Sequence, residues 1–198
     1  MSVAEQIRSF VERPIDQPPR RRKFTVEEYL TLIDNGFFHP DEKVELIEGE
    51  LINKMGIGEK HATCVTKLLE IFFEAKVGTD YKISAQNPIR LPNSRPEPDV
   101  VIHTSASLEQ GVDPVPEGII LVVEVAQSTL KQDREVKLPI YAQAGISVYW
   151  IVNLETDNVE VYTKPAEGLY QEKKVYNPGE SILISTLERE VVVSDFLG

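Results

Sequence analysis

Hydrophobic and polar positions change their period twice along this chain. From Thr25 the segment TVEEYLTLID puts Tyr29, Leu30, Ile33 and Phe37 at helical spacing. Thr25 with Glu28 three residues on forms a capping box, which starts that helix. KVELIEGELINKM reads as two short strands about a turn at Glu48-Gly49. A long helix is predicted over about 59–77, with Cys64, Val65, Leu68, Leu69, Phe72 and Phe73 on its apolar face and Gly78 closing it.

After that helix the pattern becomes strand-like. YKISAQNPIRL, DVVIH, IILVVEVA and VYWIVN are predicted strands, with one helix at about 131–144 between the last two. VEVYTK, LYQEKKVYN, ESILIS and REVVV read as hairpins separated by Glu167-Gly168 and Pro178-Gly179. This order predicts an α/β sheet flanked by helices, with an extra N-terminal helix and a mostly antiparallel set of C-terminal β-hairpins. Residues 1–22 hold Pro14, Pro18 and Pro19 among charges without an apolar period. They read as a flexible N-terminal arm, leaving 23–198 as the domain.

A length of 198 residues fits one core, and 41% hydrophobic with 27% charged residues is ordinary globular composition. No apolar run approaches the roughly 20 residues that span a bilayer, and the start lacks the apolar centre of a secretory signal. The single cysteine, Cys64, excludes an internal disulfide framework and a Cys-based zinc cluster. A cytoplasmic protein is the expectation. The net charge of −11 argues against a surface that grips nucleic acid everywhere, while leaving room for a local basic groove. The one dense basic cluster, Arg20, Arg21, Arg22 and Lys23, reads either as a solvated arm or as an arm that contacts phosphate.

Chemistry enters at IILVVEVA. The run is apolar at both parities, as in a strand covered on both faces, and Glu124 alone interrupts it. A carboxylate there costs several kcal/mol, roughly, unless it is paired, protonated or metal-bound. The plain reading is a Glu paired with Arg or Lys for folding; the functional one is a site. In Glu97-Pro98-Asp99-Val100-Val101-Ile102, Asp99 opens a short apolar strand behind a proline. Pro-Asp alone is a common turn dipeptide. If the two strands are antiparallel, however, Asp99 and Glu124 lie side by side, and a divalent cation relieves their repulsion. In DREVKLPIYAQAGI, Asp133 and Lys137 are spaced i,i+4 on a helix that follows the Glu124 strand. Either they form an exposed helix pair, or Lys137 reaches the carboxylates to orient a water and balance phosphate charge.

Along FTVEEYL, VELIEGELI, MGIGEKHATCV, SAQNPIRL, PEPDVVI, LVVEVAQSTL, DREVKLPIYAQAGI and VYWIVNLETDNVEVY the chain resembles the Uma-type putative restriction endonuclease family. That family is a branch of the PD-(D/E)XK nuclease superfamily. The resemblance implies a restriction-endonuclease-like α-β-β-β-α-β core with a mixed central sheet, and Mg²⁺-dependent phosphodiester hydrolysis in which Mn²⁺ substitutes. It places the superfamily Asp on Asp99 and the (D/E) on Glu124. Its ordinary lysine position is Ala126 here, so the lysine would lie on the following helix, at Lys137. Gln127 stands where relatives often carry Asp or Ser. The resemblance also implies an upstream acid, with Glu45 preferred over Glu48 and Glu50, and a histidine opening the long helix, His61. His61 also suits a buried core histidine, and Tyr149 and Trp150 suit core positions beneath the site.

The expected function is therefore a Mg²⁺-dependent DNA endonuclease. Asp99, Glu124 and Glu45 would hold metal, while Lys137 and His61 join the catalytic set. The alternative is a non-catalytic interaction protein that keeps the fold and uses its acidic surface for protein contacts. A third reading takes DNA specificity from a partner, since no helix-turn-helix or zinc module is present in the sequence. A homodimer is expected, because an acidic domain needs added surface to hold a duplex and two sites to cut it.

Overall fold

The structure is a computed structural model that describes residues 21–54, 56, 58–108 and 113–197. Residues 1–20, which hold most of the arm expected over 1–22 and include Arg20, lie outside the described residues. Helix α1 (Val26–Asp34) starts at the expected capping box: the Thr25 hydroxyl accepts from the Glu28 N–H and the Glu28 carboxylate accepts from the Thr25 N–H. The hairpin of β1 (Val44–Ile47) and β2 (Glu50–Asn53) follows, paired antiparallel. Its two turn residues, Glu48 and Gly49, have φ of 48° and 77°. That is the mirror-type turn which matches strand twist. Gly49 is required on a second ground, because a Cβ there would stand 2.6 Å from Lys23 Cβ and 2.9 Å from the Phe24 carbonyl oxygen.

Helix α2 (Glu59–Ala75) precedes a six-stranded sheet in the order β3-β4-β5-β6-β7-β8. These strands are β3 (Tyr81–Ser84), β4 (Val100–Thr104), β5 (Ile119–Ala126), β6 (Val148–Asn153), β7 (Asn158–Ala166) and β8 (Leu169–Tyr176). Only the β5–β6 pair is parallel, so the sheet is mixed. The parallel crossover contains α3 (Leu130–Gln132), a π-turn (Asp133–Lys137) and α4 (Leu138–Gln143). Taken from α2 to β6, the order is the expected α-β-β-β-α-β core. Strands β9 (Ser181–Ile184) and β10 (Arg189–Val192) form a separate hairpin.

Alternation along β5 divides two cores. Leu121, Val123 and Val125 pack with Leu68 and Phe72 of α2 and with Ile182 and Val191 of the last hairpin. Val122 and Ala126 pack with Ile140 and Tyr141 of α4 and with Ile47 of the first hairpin. Trp150 and Tyr149 take opposite faces of β6, and both are buried as expected. Glu124 has the parity of Val122 and Ala126, so it projects into the layer built by the crossover helix and the β1–β2 hairpin.

Three local expectations change. Phe37 is exposed, because α1 stops at Asp34 and Gly36, at φ 66°, swings the chain off the helix, while Ile33, still inside α1, lies off the stripe that buries Val26 and Tyr29. Phe73 is likewise exposed, the buried stripe of α2 running through Cys64, Val65, Leu68, Phe72 and Ala75. Strand β3 ends at Ser84 rather than continuing through SAQNPIRL. Pro88, Pro92, Pro96 and Pro98 remove donors from that stretch, which folds back on itself through Ile89 N–H to the Pro96 carbonyl (2.9 Å) and Leu91 N–H to the Ser94 carbonyl (2.9 Å). Arg95 then ties the loop to β1, its N–H donating to the Leu46 carbonyl at 2.7 Å.

Candidate active site

Antiparallel pairing of β4 with β5 sets Val100 opposite Val123, so Asp99 falls beside Glu124 on the same sheet face. Both line one cavity of about 330 Å³, together with Glu45, Lys54, His61 and Lys137. The polar side chains beneath it are deeply covered: Glu45 is 1%, Glu124 3%, Asp133 2% and Lys137 7% exposed.

Lys137 reaches this cavity by a route that straight helical spacing does not provide. Pro139 lacks the N–H an α-helix would use, and its ring would strike the carbonyl of Glu135. The helix widens instead, with the Leu138 N–H donating to the Asp133 carbonyl five residues back. Asp133 and Lys137 therefore do not form the exposed i,i+4 pair. Lys137 Nζ donates to Glu124 Oε1 at 2.9 Å and stands 3.7 Å from Glu45 Oε1. Asp133 instead accepts from the Thr129 hydroxyl at 2.7 Å. The outer side of the π-turn is held by Arg134, which bonds Glu160 of β7.

Each carboxylate has a defined set of partners. Glu124 Oε1 also accepts from the Tyr141 hydroxyl at 2.8 Å. Asp99 Oδ2 accepts from the Val125 N–H at 2.7 Å and lies 3.0 Å from His61 Nε2. Glu45 Oε1 accepts from the Glu97 N–H at 2.7 Å and stands 3.7 Å from Lys54 Nζ, whose nearer partner is the Glu97 carboxylate at 3.0 Å. Among the described residues, no hydrogen bond is directed at Asp99 Oδ1 or Glu124 Oε2.

Burial dominates the electrostatics. It pushes Glu124 up to about 8 against the pull of Lys137, and Asp133 up to about 6 against Lys137 and Thr129. Burial alone would lower Lys137, but Glu124, Glu45 and Asp133 outweigh it and hold the amine above its ordinary range. Cys64 is pushed up to about 12 by burial, which leaves it an inert packing residue.

Of the residues singled out in the sequence, Asp99, Glu124, Lys137, Glu45 and His61 all border the same cavity. Glu48 lies in the hairpin turn and Glu50 is exposed, so Glu45 is the member of that trio which faces inward. Lys54 and Tyr141 were not legible beforehand. Lys54 follows a short strand with no periodic feature to mark it, and Tyr141 has the pattern of an ordinary core residue. Among the described residues, no three His, Cys, Asp or Glu side chains are grouped to enclose a metal ion. Two carboxylate oxygens facing one cavity nevertheless suit Mg²⁺, which keeps several waters and is commonly bound through one or two carboxylates.

No helix among the described residues is long and apolar enough to cross a membrane. No curated protein matches the chain. A solved structure described as a putative nuclease belonging to DUF820, from Anabaena variabilis, superimposes with a TM-score of 0.71 at 17% identity, over 88% of this chain and 97% of that one. At that identity the likeness is one of fold. The sequence itself goes further, since residues 26–194 match the Uma2 family, described as putative restriction endonuclease. That span runs from the capped helix α1 through the Asp99–Glu124 strands to the last hairpin, so the chain belongs to the Uma2 family.

Proposed function

We propose that this chain is a Mg²⁺-dependent nuclease that hydrolyses phosphodiester bonds in DNA at the Asp99–Glu124–Lys137 cavity, with Mn²⁺ able to substitute. One observation carries the reading. Glu124, the sole carboxylate in a strand covered on both faces, shares a cavity with Asp99 and Lys137 and keeps one oxygen with no hydrogen bond from a described residue.

Asp99 and Glu124 would hold the ion. When bound, it would polarise the scissile phosphate and lower the pKa of an attacking water. The chain's own residues divide the remaining work. Lys137, kept charged by its acidic neighbours, offsets the negative charge that grows on the phosphate. His61 and the Val125 N–H fix the orientation of Asp99. Tyr141 and Lys137 fix that of Glu124. Glu45 serves as a positioning residue, because the same oxygen faces Lys54, Lys137 and the Glu97 N–H.

The non-catalytic alternative rests on the net charge of −11. One experiment separates the two: incubate plasmid, linear duplex and single-stranded DNA with the protein in Mg²⁺ or Mn²⁺, with Glu124→Gln as control. Metal-dependent cleavage that vanishes in the variant is expected. No cleavage of any substrate, or equal cleavage by the variant, overturns the reading.

A further inference from the structure

We infer that the catalytic cavity opens into a second chamber that receives a nucleobase flanking the scissile phosphate, so that the substrate is an unpaired strand. The inference rests on the nuclease reading above and names its substrate class.

A second cavity, of about 700 Å³, shares Lys54, Gly56, Gln86 and Glu97 with the first. Its far wall is built by α1 and the entry to β1, from Tyr29, Ile33, Phe38 and Val44. Apolar surface here exceeds what folding uses. Ile33 on its wall is 39% exposed, and Phe38 is flanked from outside the chamber by Phe37, 67% exposed and edge-on to it with ring centroids 5.3 Å apart. Tyr29 backs Phe38 from the core side at 5.9 Å. An aromatic platform of Tyr29 and Phe38 thus borders the second chamber, which meets the catalytic cavity at Lys54, Gly56, Gln86 and Glu97.

Charge decides what the chamber accepts. Asp41, Glu42 and Glu97 face it, against Lys43 and a Lys54 already engaged by Glu97. A phosphate would be repelled there. A neutral heterocycle would not: its face can stack on an aromatic ring, and its exocyclic amine can donate to a carboxylate. The phosphate then belongs by Lys137 and a neighbouring base by Phe38. A base inside a duplex is stacked and paired and cannot enter such a chamber, whereas one in a single strand, flap or gap can. This also suits the net charge of −11, because stacking supplies affinity that phosphate contacts alone would have to supply on a duplex.

The test compares three fluorescein-labelled DNAs of one sequence in Mg²⁺: a single strand, a blunt duplex and a duplex with a single-stranded flap. The single strand and flap should be cut at least about tenfold faster than the blunt duplex, and Phe38→Ala should lower kcat/KM on the single strand about tenfold, with Phe38→Tyr restoring it. Phe37→Ala, at an exposed position, should give a smaller loss with an unchanged melting temperature, which guards against a folding defect in Phe38→Ala. Binding is read separately, by quenching of 2-aminopurine in a single-stranded oligonucleotide with chelator present. Quenching that needs Phe38, without any cleavage, would support the chamber while the nuclease reading fails. Metal-dependent cleavage of blunt duplex as fast as single strand, indifferent to Phe37 and Phe38, would overturn the chamber and leave the nuclease reading intact. Light scattering that shows a dimer abolished by Phe37→Ala, with no change toward oligonucleotides, would assign the patch to a second copy and overturn it too.

Discussion

Asp99 closes the sheet ladder for Val125. Strand β4 begins at Val100, opposite Val123, so the Val125 N–H lies beyond the last backbone partner that β4 offers. The Asp99 carboxylate takes that N–H at 2.7 Å and turns its other oxygen away from this bond. One residue therefore ends a strand and borders the candidate cavity. Asp99→Ala should strand a buried N–H and cost about 1–3 kcal/mol. Asp99→Asn keeps an acceptor and should melt close to wild type while losing cleavage. Denaturant melts of both variants check this, and equal destabilisation would show that the carboxylate charge, not the bond to Val125, holds the strand.

The buried Lys137–Glu124 pair should respond unequally to loss of either partner. Lys137→Met leaves Glu124 and Glu45 without their shared ammonium, and breaking a buried pair costs about 3–5 kcal/mol. The cost is least at or below neutral pH, where burial that already pushes Glu124 up to about 8 lets its carboxyl take up a proton. Glu124→Gln leaves Lys137 with Glu45 at 3.7 Å, and the new amide oxygen can still accept from Lys137 and Tyr141. It should cost visibly less. Thermal melts in chelator compare the two, and a Glu124→Gln variant as unstable as Lys137→Met would make Glu124 chiefly a folding residue.

How far the site was legible follows from these same residues. Glu124 was visible because a lone acid in an apolar strand breaks a strong period, and Asp99 because a proline fixed where its strand opens. The order of elements gave the mixed sheet for a similar reason: the β5 and β6 runs are apolar at both parities. Lys137 was found by spacing, but its route was not, since the π-turn arises from Pro139 and the packing of Arg134 on Glu160 rather than from any periodicity. Lys54 was missed because its role depends on a hairpin folding across 43 residues to meet Glu97. Phe37 misled because helical spacing continues in the sequence past Asp34, where the helix ends.

Glu160 predicts how stability depends on acid. Burial would raise its pKa, but bonds from Arg134, Tyr162 and Lys173 overcome this and lower it from 4.5 to about 2. A folded pKa below the unfolded one stabilises above about 4.5, and that contribution drains away as pH falls toward 2. Glu160→Gln should therefore cost on the order of 2 kcal/mol at pH 7, after allowing for the partial exposure of Arg134 and Lys173. The gap between variant and wild type should close as pH drops from about 5 to 2. Urea melts across that range measure it; a gap independent of pH would mean that Glu160 acts through shape rather than charge.

Metal itself should stabilise the fold through Asp99 and Glu124. Three acids, Glu45, Asp99 and Glu124, border a cavity whose lysines are already shared among them, so an added cation relieves repulsion that the chain alone does not cancel. A ligand that binds only the folded state at 100 times its Kd contributes about 2.7 kcal/mol. For a domain of this size that is a rise of roughly 5–10 °C in melting temperature. The same shift should disappear in Asp99→Asn and in Glu124→Gln, and chelator should reverse it in wild type. Because a chain of net charge −11 also gains from simple screening, the comparison must be made against KCl at matched ionic strength. A Mg²⁺ effect no larger than that of KCl, or one that survives in both variants, would place the ion elsewhere on the acidic surface and remove it from the proposed chemistry.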